Sequence, residues 1–269
     1  MSNITFIGSG NMASAIFSGL INTGYDAKQI TATGRDEKKL HVHQTKLGIN
    51  ITTDNIAAAQ HADVIVLAVK PNMMQTVCET LHDVIQSNKP LVISVAAGTT
   101  EAVIQQWLGG NVPIIRCMPN TPVQIGAGAS GLFANPFVSA EQKQIANDMM
   151  AAIGITVWVD SDADIDKVAA ISGSGPAYFF FVMEAMQQAG EKIGLPRDTA
   201  RQLTLQTALG AARMATQSDD SPAELRRKVT SPGGTTEAAI NTMQAEGLES
   251  IFANAIQAAV RRAEALATE

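Results

Sequence analysis

Charge is scarce in this chain, and what there is leans negative. Only 16% of its 269 residues are Asp, Glu, Lys or Arg, with Lys plus Arg 19 against Asp plus Glu 25 and a net charge of −6. A nucleic-acid surface needs many Lys and Arg contacts to phosphates, so nucleic acid is not an expected partner. Cysteine is scarcer still: Cys78 and Cys117 lie far apart and form no Cys-x-x-Cys pair. That pattern fits buried thiols in a reducing compartment. No apolar run approaches the ~20 residues needed to cross a bilayer, and the opening Met1-Ser2-Asn3-Ile4-Thr5-Phe6-Ile7-Gly8 carries no basic segment. A cytoplasmic protein without a membrane partner is the expectation. The four histidines, His41, His43, His61 and His82, show no zinc-like spacing with Cys or carboxylate, and no Gly-x-Ser-x-Gly elbow is present. Neither a metal site nor a hydrolase is expected.

Apolar residues, by contrast, are plentiful. The hydrophobic content of 46% and mean hydropathy of +0.08 predict that part of the surface is covered by another copy of the chain. The length suits one or two domains. Short β-branched runs alternate with helical stretches through the first part: Ile4 to Gly8, Ile30 to Thr33, Asp63 to Lys70, Leu91 to Ala96, Val112 to Cys117 and Ile155 to Asp160. This rhythm predicts a parallel sheet, with apolar Asp63-Val64-Ile65-Val66-Leu67-Ala68-Val69 as a central strand buried on both faces. Gly126 to Phe133 reads as one more strand, antiparallel because no crossover helix precedes it. Beyond Asp162 the period shifts from two to 3.6 and only helices are expected. The boundary therefore falls between a domain of residues 1–162 and one of 163–269. Ser221-Pro222-Ala223-Glu224 is a capping box with Pro at the first helical position, and the last helix should run from Leu248 to about Ala267.

Gly8-Ser9-Gly10-Asn11-Met12-Ala13 follows the first strand and opens a helix, the Gly-x-Gly-x-x-Ala form of a dinucleotide fingerprint. Gly8 makes the turn, Gly10 lets the backbone approach a pyrophosphate, and the N-terminus at Asn11 and Met12 presents unpaired N–H groups. The second strand ends in Thr33-Gly34-Arg35-Asp36, with Lys38 and Lys39 behind. Arg35 suits the ribose phosphate of NADPH, whereas Asp36 directed at a ribose diol would admit NADH. Ala68-Val69-Lys70-Pro71 ends the central strand at the edge where ligands of such sheets lie, and Met118-Pro119-Asn120-Thr121-Pro122 is a rigid loop aimed at the same edge. Lys70 is either a charge for the cofactor or a plain strand terminus.

Those motifs, with Ser94-Val95-Ala96-Ala97-Gly98, Ser172-Gly173-Ser174-Gly175-Pro176-Ala177-Tyr178 and Thr230-Ser231-Pro232-Gly233-Gly234-Thr235-Thr236, resemble the pyrroline-5-carboxylate reductase family from end to end. The resemblance implies an N-terminal Rossmann-type domain followed by an all-α domain of the 6-phosphogluconate dehydrogenase C-terminal type. It also implies interleaved homodimers, in many members gathered into rings, and reduction of 1-pyrroline-5-carboxylate to L-proline by NADPH or NADH, the last step of proline biosynthesis.

Such a substrate needs an anion site for its carboxylate and a ring held against the nicotinamide. Ser174 and Gly175, at the start of a helix expected from Ala177 to about Gly190, supply one set of polar groups. Gly233, Gly234 and Thr235, ahead of a helix expected from Glu237, supply another. Neither loop holds a strong acid or base, which suits an imine protonated from water before hydride arrives. The resemblance implies that the Thr236 hydroxyl meets the ring nitrogen. A β-hydroxyacid dehydrogenase, the nearest rival, would carry a Lys early in the first long helix of the second domain, and none precedes Lys192 there.

Overall fold

Apolar β-branched segments at regular spacing build one eight-stranded sheet, and the helices between them cover both of its faces. The computed structural model describes residues 2–266, so the expected end of the last helix at Ala267 lies outside them. The chain divides into two compact units. One holds the chain up to Ser174 and takes in the described end of the last helix from Ala259; the other is Gly175–Ala258.

In the first unit the strands are β1 (Ile4–Ile7), β2 (Ile30–Thr33), β3 (Asn50–Thr52), β4 (Val64–Leu67), β5 (Leu91–Ser94), β6 (Ile114–Met118), β7 (Gly128–Ala134) and β8 (Gly154–Trp158). The helices are α1 (Asn11–Asn22), α2 (Glu37–Leu47), α3 (Asn55–Ala59), α4 (Pro71–Asn88), α5 (Glu101–Trp107), α6 (Ala140–Ala151) and α7 (Asp164–Val168). The strand order is β3-β2-β1-β4-β5-β6-β7-β8. Strands β1 to β6 run parallel, β7 pairs antiparallel with β6, and β8 pairs parallel with β7. The reversal at β7 follows from its connection. Only the 3₁₀ turn Thr121–Ile125 separates it from β6, too little chain for a crossover.

Alternation along the strands feeds two cores. Ile4, Phe6, Val64, Val66, Ile93 and Cys117 pack with Ile16, Phe17 and Leu20 of α1 and Met149 and Met150 of α6 on one face. Ile7, Ile65, Leu67, Val92 and Ile114 pack with Met74, Cys78, Leu81 and Ile85 of α4 on the other. A strand buried on both sides must be apolar at every position, and all four residues of β4 are buried. Both cysteines are core thiols, as expected, and burial pushes each up to about 12.

Three local expectations change. Strand β3 was not foreseen, because Asn50-Ile51-Thr52 is short and partly exposed at the sheet edge and carries almost no apolar signal. Helix α8 (Gly175–Lys192) starts two residues before Ala177, and α11 (Thr235–Ala245) two before Glu237. The helical run Asp164–Lys192 is also long and apolar enough, by length and composition, to cross a membrane, against the expectation of none. In the sequence, polar Ser172 and Ser174 and several glycines break the apolar pattern of this run.

The second unit contains α8, α9 (Arg197–Gln217), α10 (Pro222–Lys228), α11 and most of α12 (Leu248–Leu266). The capping box of α10 forms as read: the Ser221 hydroxyl accepts from the Glu224 N–H, and the Glu224 carboxylate accepts from the Ser221 N–H. Gly190 lets α8 approach α9, since a Cβ there would stand 3.1 Å from the Ala200 methyl. Little of this unit is buried within itself. Phe179, Phe180 and Phe181 are 67%, 63% and 71% exposed, and Leu203, Leu209, Met214 and Ile251 are exposed as well. A helix apolar on several sides needs neighbours on several sides.

Candidate active site

Strand β1 has β2 on one side and β4 on the other, so the sheet changes winding direction at the ends of β1 and β4. A crevice opens at such a switch point. Gly8 stands in it at φ +104°, and a Cβ there would lie 2.7 Å from the Ala68 carbonyl oxygen. Only glycine lets the turn pass so close to the end of β4. The Ala68 N–H donates to the Ile7 carbonyl at 2.9 Å and the Gly8 N–H to the Thr33 hydroxyl at 3.3 Å, tying the tips of β4 and β2 to the turn.

Helix α1 starts at Gly10 without a side-chain cap. Its first-turn N–H groups are left for a ligand, and a Cβ on Gly10 would project into open space. That is room for a phosphate. The cleft, about 400 Å³, is lined among others by Gly8, Gly10, Arg35, Ala68, Val69 and Lys70, so six of the expected cofactor residues come together there. Pro71 follows at the first position of α4 with Lys70 as its N-cap.

The tip of β2 carries two opposite charges, Arg35 and Asp36. The Asp36 carboxylate accepts the Lys39 N–H at 3.1 Å and caps α2. It is thus engaged by its own helix, and it lines the cleft together with Arg35 and Lys39. A Cβ on Gly34 would meet the Ser9 hydroxyl at 2.9 Å, so the Ser9 side chain would have to turn aside to admit one. Thr53 and Asn55 also line the cleft, and sequence reasoning missed both. They sit past the unforeseen β3. The signal present was Asp54, whose side chain caps α3 by accepting from the Ile56 and Ala57 N–H groups.

Other expected residues lie elsewhere. Asn11 lines a larger polar cleft of about 690 Å³ along α1 with Ser14, Ser18 and Asn22, opposite Val123 to Gly126. Met12 packs against the core. Asn120 is buried, its Nδ2 donating to the Ser172 carbonyl at 3.0 Å and its Oδ1 accepting from the Ala129 N–H at 2.9 Å. Its amide braces the loop after β6.

Ser174 does not sit at a free helix start. A π-turn, Ala169–Gly173, joins α7 to α8, and the Ser174 N–H donates to the Ala169 carbonyl at 2.8 Å. With that amide engaged and Pro176 lacking an N–H, the exposed Ser174 hydroxyl is the polar side-chain group that remains there.

In the second unit Gly233 holds φ +69° and Gly234 is the N-cap of α11. Thr235 and Thr236 therefore lie in the first turn. Among the described residues no hydrogen bond engages the exposed Thr236 hydroxyl, and Gly234, not Thr236, caps the helix. The expectation that this loop is free of acids needs correction: the Glu237 carboxylate turns back and accepts the Gly233 N–H at 2.8 Å. Beginning the helix at Thr235 brings Glu237 into its first turn, where a carboxylate is favoured. No group of three or more His, Cys, Asp and Glu suited to a metal ion occurs among the described residues.

A phosphate-ready helix start at the switch point of a mostly parallel sheet, with Arg35 and Lys39 at the second strand, defines a dinucleotide-dependent oxidoreductase of Rossmann type. Residues 3–98 match the family described as NADP oxidoreductase coenzyme F420-dependent, and residues 162–266 match pyrroline-5-carboxylate reductase dimerisation. The chain is 49% identical over 266 residues to a pyrroline-5-carboxylate reductase of Pseudomonas aeruginosa, covering 99% of this chain and 97% of the relative. Among solved structures it is similar to that of a pyrroline-5-carboxylate reductase from Coxiella burnetii (TM-score 0.96, 51% identity, 98% of each chain). It is also similar to the NADP-bound pyrroline carboxylate reductase of Plasmodium falciparum (TM-score 0.87, 30% identity, 99% of this chain and 98% of that one). The chain belongs to the pyrroline-5-carboxylate reductase family.

Proposed function

We propose that this chain reduces 1-pyrroline-5-carboxylate to L-proline, the closing step of proline biosynthesis, with NADPH preferred and NADH accepted. One observation carries the reading: the uncapped start of α1, with Arg35 and Lys39 beside it, sits in a chain related over 97 to 99% of its length to reductases named for that substrate. The residues fit the cofactor. Gly8 would shape the turn, Gly10, Asn11 and Met12 would hold the pyrophosphate through backbone N–H groups, Arg35 the ribose phosphate, and Ala68, Val69, Lys70 and Pro71 the wall towards the nicotinamide, with Asn120 bracing the loop after β6 behind it. When bound, the reduced nicotinamide supplies the hydride.

The protein's own part is binding and orientation. Residues 1–162 serve the cofactor and 163–269 the substrate and the dimer. The Ser174 hydroxyl and the N–H groups of Gly175 and Thr235 hold the carboxylate, with Gly233 and Gly234 shaping the turn, the Gly234 N–H being donated to the Ser231 carbonyl. The Thr236 hydroxyl contacts the ring nitrogen. The imine nitrogen takes its proton from water, and the C=N carbon takes the hydride, giving the secondary amine and the oxidised cofactor. Positioning of the two reactants in near-attack geometry carries most of the rate. No metal takes part. The exposed apolar helices are covered by the second copy of an interleaved homodimer, with dimers gathered into rings, in the cytoplasm.

The test is a spectrophotometric assay of NADPH oxidation with the racemic imine, with the proline formed measured separately. Cofactor consumption matched one-to-one by proline supports the reading, and NADPH binding without turnover overturns it.

A further inference from the structure

Arg116, in the middle of β6, heads the fully buried side chains by volume, and it lines none of the cofactor cleft. Its Nη1 donates to the Asp162 carboxylate at 2.8 Å and to the Asp162 carbonyl at 3.3 Å. Its Nη2 reaches the Asp166 carboxylate at 3.5 Å. The second oxygen of Asp162 accepts the Glu101 N–H at 3.2 Å, and the Glu101 side chain accepts from Asn135 at 2.7 Å. Further along the same strand exit, Asn120 donates to the Ser172 carbonyl. Thus β6 and the loop after it grip the segment from Asp162 to Ser172 at both ends. Between the grips lie α7 and the π-turn that ends beside Ser174.

Burying Arg116 and Asp166, with Asp162 only partly covered, is a poor route to stability, since each ion loses its hydration and apolar residues of similar volume serve as well. What ions provide and apolar residues do not is one fixed register. We infer that Arg116, through Asp162 and Asp166, is a positioning residue for the reductase: it fixes the π-turn so that Ser174 and Gly175 meet the substrate carboxylate in one geometry. This rests on the reading that Ser174 and Gly175 hold that carboxylate. The π-turn belongs in the argument because such turns are rare and recur at functional sites.

The test compares Asp166→Asn, Arg116→Lys and Ser174→Ala in the full chain, reading imine KM and kcat, NADPH Kd by fluorescence titration, and Tm. Asp166→Asn keeps an oxygen acceptor but lowers the charge that orients the guanidinium. The expected result is a fall in kcat/KM for the imine of about tenfold or more, with NADPH Kd within about twofold of the parent. Arg116→Lys, which keeps the charge and loses the fork, should show the same imbalance. If Asp166→Asn does not fold, Arg116→Lys is read by the same outcomes. Unchanged imine kinetics in a folded variant, or imine KM and NADPH Kd weakening together as Tm falls, overturns the inference. Ser174→Ala separates the two layers. If it leaves imine KM unchanged, the carboxylate reading fails; if it raises KM while Asp166→Asn is silent, only the positioning role fails.

Discussion

Replacing Arg35 with Ala removes one of two cationic side chains at the β2 end of the cleft and leaves the turn that carries it intact. In NADPH the phosphate there accepts charge-assisted hydrogen bonds, each contributing about 1.5–3 kcal/mol when well sheltered. Arg35 is exposed, so solvent screening reduces this to about 1–2 kcal/mol, roughly a 5- to 30-fold loss in kcat/KM for NADPH. NADH has no phosphate at that position, and its kcat/KM should move less than about twofold. The assay is steady-state kinetics with both cofactors at saturating imine, repeated for Asp36→Ala. That second variant removes the cap on α2 and should lower stability by about 1 kcal/mol without altering the cofactor ratio. An NADPH to NADH ratio unchanged by Arg35→Ala, or lost NADH turnover in Asp36→Ala, would refute the assignment of Arg35 to the phosphate and Asp36 to the helix.

Gly8→Ala forces a methyl to within 2.7 Å of the Ala68 oxygen at φ +104°, so it should destabilise the fold by roughly 1–3 kcal/mol and weaken NADPH binding, read by thermal melting and fluorescence titration. Thr236→Ala should lower kcat/KM for the imine by about 10- to 100-fold while NADPH Kd holds, and unchanged turnover would reject the contact to the ring nitrogen. The two buried thiols are raised from 9.0 to about 12, so the folded chain keeps its protons longer than the unfolded one. Their contribution is therefore complete below pH 9 and is lost as pH rises from 9 towards 12, which urea melts across that range would follow. Phe180→Glu places a charge on an exposed apolar helix face and should shift the dimer towards monomer, seen by light scattering.

Much of this was legible because strong physical constraints leave simple patterns. A strand buried on both faces must be apolar throughout, and β4 is; a phosphate turn needs glycine where a Cβ would strike Ala68, and Gly8 is there. The antiparallel β7 could be inferred from the missing crossover alone. Strand β3 left no such mark, because Asn50-Ile51-Thr52 packs at an edge and is held mainly by pairing with Thr31, Ala32 and Thr33. Thr53 and Asn55 were lost with it. The competition between Arg35 and Asp36 could not be settled from residue types, since either suits a ribose. What residue types do not encode is that Asp36 also caps α2 by accepting the Lys39 N–H, while both side chains line the cleft. Likewise Ser172-Gly173-Ser174-Gly175-Pro176 looks like a loop because glycine and proline usually interrupt helices. Asn120 contacts the π-turn at Ser172, and Arg116 holds Asp162 and Asp166 ahead of it, contacts that no local pattern encodes.

The account's central claim is spatial: a bound ring acid lies against the redox end of a coenzyme seated on the Gly8 turn. A crystal structure of the enzyme with NADP⁺ and L-proline measures it directly. The account predicts the proline ring carbon that received the hydride about 3–3.5 Å from nicotinamide C4, with the Thr236 hydroxyl at hydrogen-bond distance from the ring nitrogen. Proline bound well away from the nicotinamide, or a coenzyme seated elsewhere than on Gly8 and Gly10, would contradict it.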